Sequence, residues 1–144
     1  MRYAGYNSAV IPALCEGSAL YPSDLLEPTP KYDTGVYLSQ GSDPQRKDVL
    51  ELLLRMFDRE GLTLLPALQF NTPLPKLEVL RGGGPRDFVG AELVNHQGRT
   101  WLTRHGAKNG LAPYYNPLDP RVQNAMVAVV RELAQRYGQH TALG

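Results

Sequence analysis

The sequence predicts an α/β protein with a parallel sheet, and three observations lead to this fold class. Two segments carry apolar residues at spacings of three and four, which indicates amphipathic helices. Two other segments, residues 9–14 and 62–70, are apolar almost throughout, which is typical of parallel strands covered on both faces. Strands and helices alternate along the chain, so we expect the helix between the two strands to form a crossover connection.

The first helix is expected to begin at Asp43-Pro44, because the carboxylate can cap free N–H groups and proline suits the first helical turn. Its end is expected at Gly61, which can adopt the left-handed conformation past the last turn. The apolar residues on one side of this helix are Val49, Leu50, Leu53, Leu54 and Phe57. We expect this side to pack against the sheet.

A second Asp-Pro pair, Asp119-Pro120, predicts the start of the other helix, and Gly138 predicts its end. Its apolar positions are Val122, Ala125, Met126, Val129, Val130, Leu133, Ala134 and Tyr137. Residues 1–5 have the pattern of a further helix end. The chain therefore reads as a single domain, residues 1–144, that begins inside one helix-to-strand unit and stops at the start of another.

Long connections follow both strands. In α/β proteins the link from a strand to a helix usually spans about 2–6 residues, and much longer links commonly cover or bind a ligand. Both connections come after strands and before helices, which places them at the carboxyl edge of a parallel sheet, where ligands bind. Within the second connection, the spacing of Leu74, Leu77 and Leu80 predicts a short helix, and Gly98 predicts a hairpin turn.

Polar side chains come directly after the predicted strands. Glu16 follows the first strand, and Gln69 and Asn71 follow the second. A carboxylate with amides at this edge can bond hydroxyl groups or transfer protons, although strand-end polar groups also commonly bond loop backbone. Aromatic residues in the two connections could either form a platform for a sugar ring or anchor the loops themselves. They are Tyr21, Tyr32, Tyr37, Trp101, Tyr114 and Tyr115.

Composition argues against several other classes of function. A net charge of +1 over 144 residues gives no reason to expect nucleic acid or a membrane as a partner. Cys15 is the one cysteine, and the three histidines lack neighbouring metal ligands, so we expect no metal and no other cofactor. Residues 82–84 are glycines but lack the spacing of a phosphate loop. No apolar run reaches about 18 residues, the length of a membrane-spanning helix, and no leader follows Met1. The sequence therefore assigns no cellular location.

Three stretches resemble the bacterial proteins called family ten glycosyl hydrolase-like, and the resemblance covers nearly the whole chain. They are residues 21–35, residues 43–51 and Tyr115-Asn116-Pro117-Leu118-Asp119-Pro120-Arg121-Val122-Gln123. The most specific piece is the Asn-Pro-x-x-Pro-x-Val run before the second helix. The resemblance implies a (β/α)8 TIM-type barrel that acts on glycosides through a carboxylate pair at the mouth of the barrel.

The chain departs from that family in length. A barrel of this type takes about 250 residues, so we expect a partial barrel, truncated at both ends. In related barrels the acid and the nucleophile come from later strands, and no position of this chain matches them, so the isolated chain is expected to be inactive. The residues expected to contact carbohydrate are Glu16, Tyr21, Gln69, Asn71, Tyr115 and Asn116.

Two other functions are compatible with the pattern. One is a non-catalytic barrel whose loops bind a glycan or a protein. The other is a small doubly wound domain that binds a nucleotide, although the sequence lacks the glycine-rich turn after a strand. A partial barrel would also leave strands without neighbours, so we expect self-association through exposed sheet edges.

Overall fold

The computed structural model describes residues 5–15, 18–28, 48–70, 74–82, 88–100 and 115–144. Within these ranges it contains four strands and three helices. The strands are β1 (Ser8–Cys15), β2 (Ser18–Ala19), β3 (Glu27–Pro28) and β4 (Thr63–Leu68), and the helices are α1 (Val49–Glu60), α2 (Pro75–Gly82) and α3 (Pro120–Tyr137). The predicted α/β class is therefore confirmed. Of the helix end predicted in residues 1–5, residues 1–4 lie outside the described ranges.

The two long strands pair in parallel, as the sequence predicted. The ladder joins Ser8 to Thr63 at one end and Leu14 to Leu68 at the other, with an irregularity between Pro12 and Leu14. Since α1 connects the two strands, this is the crossover unit that the alternation of elements predicted.

The sheet as a whole is mixed, which the sequence did not predict. Its strand order is β3-β2-β1-β4, and β2 runs antiparallel to the end of β1 while β3 runs parallel to β2. Both added strands have only two residues. Strands this short carry no readable alternation of apolar and polar residues.

Pro66 lies inside β4 without breaking its ladder to β1. The backbone of Leu64 bonds on the side away from β1, since its N–H donates to the carbonyl of Ala142 and its carbonyl accepts from the N–H of Gly144. Backbone groups alternate sides along a strand, so Pro66, two residues further on, faces that same outer side. Its missing N–H therefore removes no bond to β1.

Helix α1 begins later in the chain than the sequence predicted. Asp48, not Asp43, caps the helix: its side chain accepts from the N–H of Glu51 at 2.9 Å. Residues 43–47 lie outside the described ranges. The predicted end is confirmed, because Gly61 adopts a φ of +64°, in the left-handed region that favours glycine. Leu50, Leu54 and Phe57 are buried, as the apolar pattern predicted.

Helix α3 begins and ends where the sequence predicted, with Asp119 as cap and Pro120 in the first turn. Gly138 follows the helix with right-handed geometry, and a side chain there would collide with the carbonyl oxygen of Ala134. The buried residues of α3 are Val122, Val129, Leu133 and Tyr137. Val130 and Ala134, which were predicted on the apolar side, are exposed, so the buried stripe is narrower than the pattern indicated.

The sequence also predicted α2 and the hairpin correctly. Val94 bridges Thr100 in antiparallel geometry, the N–H of Asn95 donates to the carbonyl of Arg99, and Gly98 has a φ of +72°. Such a φ is what the turn needs.

One face of the β1–β4 pair is buried and the opposite face is not covered by described residues. Leu64 is fully buried with α1 residues Leu50 and Leu54 in the common core. Val10 and Leu65 are paired on the opposite face and are 67% and 40% exposed. The apolar pattern of the two strands had predicted that both faces of the sheet are covered. The described residues cover one of them.

Candidate functional site

The carboxyl ends of β1 and β4 meet at one edge of the sheet. The N–H of Gln69, directly after β4, donates to the carbonyl of Leu14 at 3.0 Å. Because the strands are parallel, the connections that follow them both leave from this edge. Gln69 is exposed there. Glu16 and Asn71, the other polar residues predicted at this edge, lie outside the described ranges.

Tyr21 lies in the first connection and is buried, with 1% of its surface exposed. Its hydroxyl donates to Glu132 Oε2 at 3.1 Å, and its ring packs edge-on against Tyr137 with the centroids 5.9 Å apart. Burial, with the negative charge of Glu132, raises the pKa of Tyr21 well above its usual value. The hydroxyl therefore stays protonated and serves as a donor.

Glu132 of α3 fixes the described residues 21–26 of the first connection in place. Besides Tyr21, its carboxylate accepts from the Ser23 hydroxyl at 2.6 Å and from the N–H of Asp24 at 2.8 Å. Ser23 is buried, and its oxygen accepts in turn from the N–H groups of Leu25 and Leu26. These bonds hold residues 21–26 as a bend tied to α3.

Tyr115 fixes the second connection in a similar way. It is 3% exposed, its hydroxyl donates to Glu78 Oε1 at 2.7 Å, and the N–H of Leu74 donates to the same hydroxyl at 2.7 Å. The ring packs edge-on against Phe88. Tyr115 thereby attaches α2 to the segment that leads into α3.

Asn116 and Arg121 attach the start of α3 to the turn at residues 88–91. The Asn116 amide donates to the carbonyl of Gly90 at 2.9 Å, and its side-chain oxygen accepts from the N–H of Leu118. Arg121 donates to the carbonyl of Val89 and forms an ion pair with Asp119 at 2.7 Å. The hydrogen bonds from Arg121 lower the pKa of Asp119 to about 2. The Asn-Pro-x-x-Pro-x-Val run is thus a helix-entry motif.

The structure brings Gln69 to the end of β1 but places Tyr21 and Tyr115 in two separate clusters, one on Tyr137 and one on Phe88. Sugar contact by the six predicted residues stays a prediction. Sequence reasoning missed Glu132, whose partners in the first connection lie 108 to 111 positions away. No local pattern signals a bond over that distance.

Comparisons with known proteins add no relatives: no family model, no curated protein and no solved structure matched this chain. In the part of the chain that the structure describes, no three His, Cys, Asp or Glu residues group as metal ligands. No helix in that part is long and apolar enough to cross a membrane.

Proposed function

We propose that this chain forms part of a glycoside hydrolase-like (β/α)8 barrel and contributes one wall of its carbohydrate-binding cleft. The observation that carries the proposal is the parallel β1–α1–β4 unit, whose carboxyl ends meet at the bond between Gln69 and Leu14. In barrels of this type the substrate binds at that edge, in loops that follow the strands.

The pairing beyond β4 supports the barrel arrangement. Leu143, after α3, bridges Leu64 in parallel geometry on the side of β4 away from β1. The chain thus lays three parallel segments side by side in sequence order, as successive barrel strands do. Val10 and Leu65, on the face away from the helices, are branched apolar residues of the kind that fill a barrel interior.

The antiparallel strand β2 is a departure from a regular barrel. Its pairing with β1 involves Leu14 and Cys15, the last two residues of that strand. We assign β2 and β3 to the loop structure above the carboxyl edge, where the bonds to Glu132 fix the residues between them.

Within this proposal the six predicted residues divide into two roles. Gln69 is exposed at the edge, and with Glu16 and Asn71 it would bond sugar hydroxyls. Tyr21, Tyr115 and Asn116 have polar groups bonded within the protein and would hold the loops that shape the cleft. Cleavage needs two carboxyl groups about 5 to 9.5 Å apart, and we assign this chain binding of the sugar but not cleavage.

Replacing Gln69 by alanine tests the proposal. We expect the dissociation constant for the bound oligosaccharide to rise about fivefold, the loss of roughly one neutral hydrogen bond. Isothermal titration calorimetry with β-linked and α-linked gluco-, xylo- and chito-oligosaccharides would measure it. Gln139→Ala, which removes an exposed glutamine after α3, is the control and should leave affinity unchanged. Absence of binding by the unmodified chain to every glycan in the panel would contradict the proposal.

The face of β1 and β4 that no described residue covers, and the outer edge of β4 beyond its pairing at Leu64, lead to a second prediction. We expect the chain to self-associate there, so that its mass by light scattering rises with concentration, and we expect Val10→Lys to reduce that rise. Val79→Lys changes a valine on α2 that is 76% exposed, against 67% for Val10, and is the control. A constant monomer mass at all concentrations would contradict the prediction.

A further inference from the structure

His140, just after α3, lies between two carboxylates of α1. Its Nδ1 is 2.5 Å from Asp58 Oδ2 and its Nε2 is 2.9 Å from Glu51 Oε2. The imidazole is largely enclosed, with 9% of the side chain exposed. The ring therefore spans two turns of the helix and uses both of its nitrogens.

This geometry requires a charged ring when both carboxylates are ionised. A neutral imidazole has one N–H, so it can donate to one carboxylate while its unprotonated nitrogen faces the other. Only the imidazolium form donates to Asp58 and Glu51 together. The bonds to Asp58 and then to Glu51 accordingly raise the pKa of His140.

The same cluster holds the residues that extend the sheet. The Thr141 hydroxyl and the N–H of Ala142 both donate to Asp58 Oδ1, at 2.8 and 2.6 Å. Ala142 and Gly144 then bond the backbone of Leu64 in β4. Releasing His140 from α1 would therefore loosen the pairing of residues 142–144 with β4.

The charged side chains that the structure describes around this cluster do not replace His140. On α1, Arg55 bonds the other oxygen of Glu51 at 2.7 Å. From α3, the Tyr137 hydroxyl donates to Asp48 and Arg136 pairs with Asp24. Among the residues that the structure describes, His140 is thus the cation that bonds both Asp58 and Glu51.

We propose that His140, Glu51 and Asp58 form a pH-dependent latch that holds residues 140–144 on β4 while His140 is protonated and weakens that hold when it is not. The latch does not depend on carbohydrate binding. It would control whether the outer edge of β4 is paired or open.

The pH range of the closed latch follows from the direction of each shift. The pKa of His140 is raised, so its stabilisation is complete below about 6.5 and is lost as pH rises through the raised value. The pKa of Asp58 is lowered, chiefly by His140, and that of Glu51 is lowered by Arg55 and then His140. The stabilisation that the Asp58 and Glu51 carboxylates contribute is lost only as pH falls through their lowered pKa values. The latch is therefore closed at about pH 6.5 and just below it, and it loosens as pH rises through the raised pKa of His140.

Hydrogen exchange of single amides tests the latch. We expect the protection factors of the Leu64 and Gly144 amides to fall about tenfold as His140 deprotonates, the factor for losing one hydrogen bond to a charged group. The backbone amide of Gln69 donates to Leu14 at the carboxyl ends of β1 and β4. It should keep its protection and so report that the fold persists. Unchanged protection of Leu64 and Gly144 across the titration would overturn the proposal.

Two variants and a titration of the His140 ring resonances provide further tests. His140→Gln should show low protection at Leu64 and Gly144 at every pH, whereas His96→Gln, which removes an exposed histidine of the hairpin, should behave like the unmodified chain. In an NMR pH titration, the ring resonances of His140 should have a midpoint above about pH 6.5. Asp58→Asn should lower that midpoint. A midpoint at or below about 6.5, or a matching effect in His96→Gln, would overturn the latch.

Discussion

Leu54→Ala is expected to lower the free energy of unfolding by about 2–5 kcal/mol, the range for removing a fully buried leucine side chain. Leu54 is 0% exposed and belongs to the core between α1 and β4. The loss combines the transfer of apolar surface back to water with the cavity that remains. Urea denaturation followed by circular dichroism would measure it.

Leu52→Ala provides a matched control on the same helix. Leu52 is 58% exposed, so the same change of side chain should alter stability by about 0.5 kcal/mol or less. Equal losses at Leu52 and Leu54 would contradict the packing of α1 described above.

Glu132→Ala is expected to cost about 3 kcal/mol, because three donors in the first connection lose their acceptor together. These donors are Tyr21, Ser23 and the N–H of Asp24. Ser23 and Tyr21 are buried, so water can replace the lost carboxylate only if the loop opens. Chemical denaturation gives the stability, and limited proteolysis between residues 21 and 28 reports the opening.

Glu60→Ala, at the exposed last residue of α1, should change stability by about 0.5 kcal/mol or less and leave the proteolysis pattern unaltered. If Glu132→Ala were as stable and as resistant to protease as Glu60→Ala, the role of Glu132 in fixing the loop would be wrong.

Local signals predicted much of the fold. The apolar runs of β1 and β4 predicted a parallel pair, the spacing of leucines predicted the buried side of α1, and Gly61 and Gly98 predicted positive φ angles. Each of these features depends on residues that are close in sequence. The predicted cap of α1 was wrong, because the signal at Asp43-Pro44 lies before the actual cap, Asp48, whose side chain also accepts from the distant Tyr137 hydroxyl.

The parts that sequence reasoning missed depend on contacts across the chain. Glu132 bonds the first connection, and His140 bonds α1 over 82 and 89 positions. The strands β2 and β3 are too short to show a period. For the candidate site, the sequence correctly placed Gln69 at the carboxyl edge, whereas the partners of Tyr21 and Tyr115 emerged only from packing.

The most direct test of the central claim is to map oligosaccharide binding by the amide resonances of the labelled protein during a titration with each glycan class. We expect shifts to concentrate at the carboxyl edge, at Gln69 and Leu14, and to leave Asn7 and Thr63, at the opposite ends of β1 and β4, unchanged. Shifts centred on Asn7 and Thr63, or none with any glycan, would contradict the account.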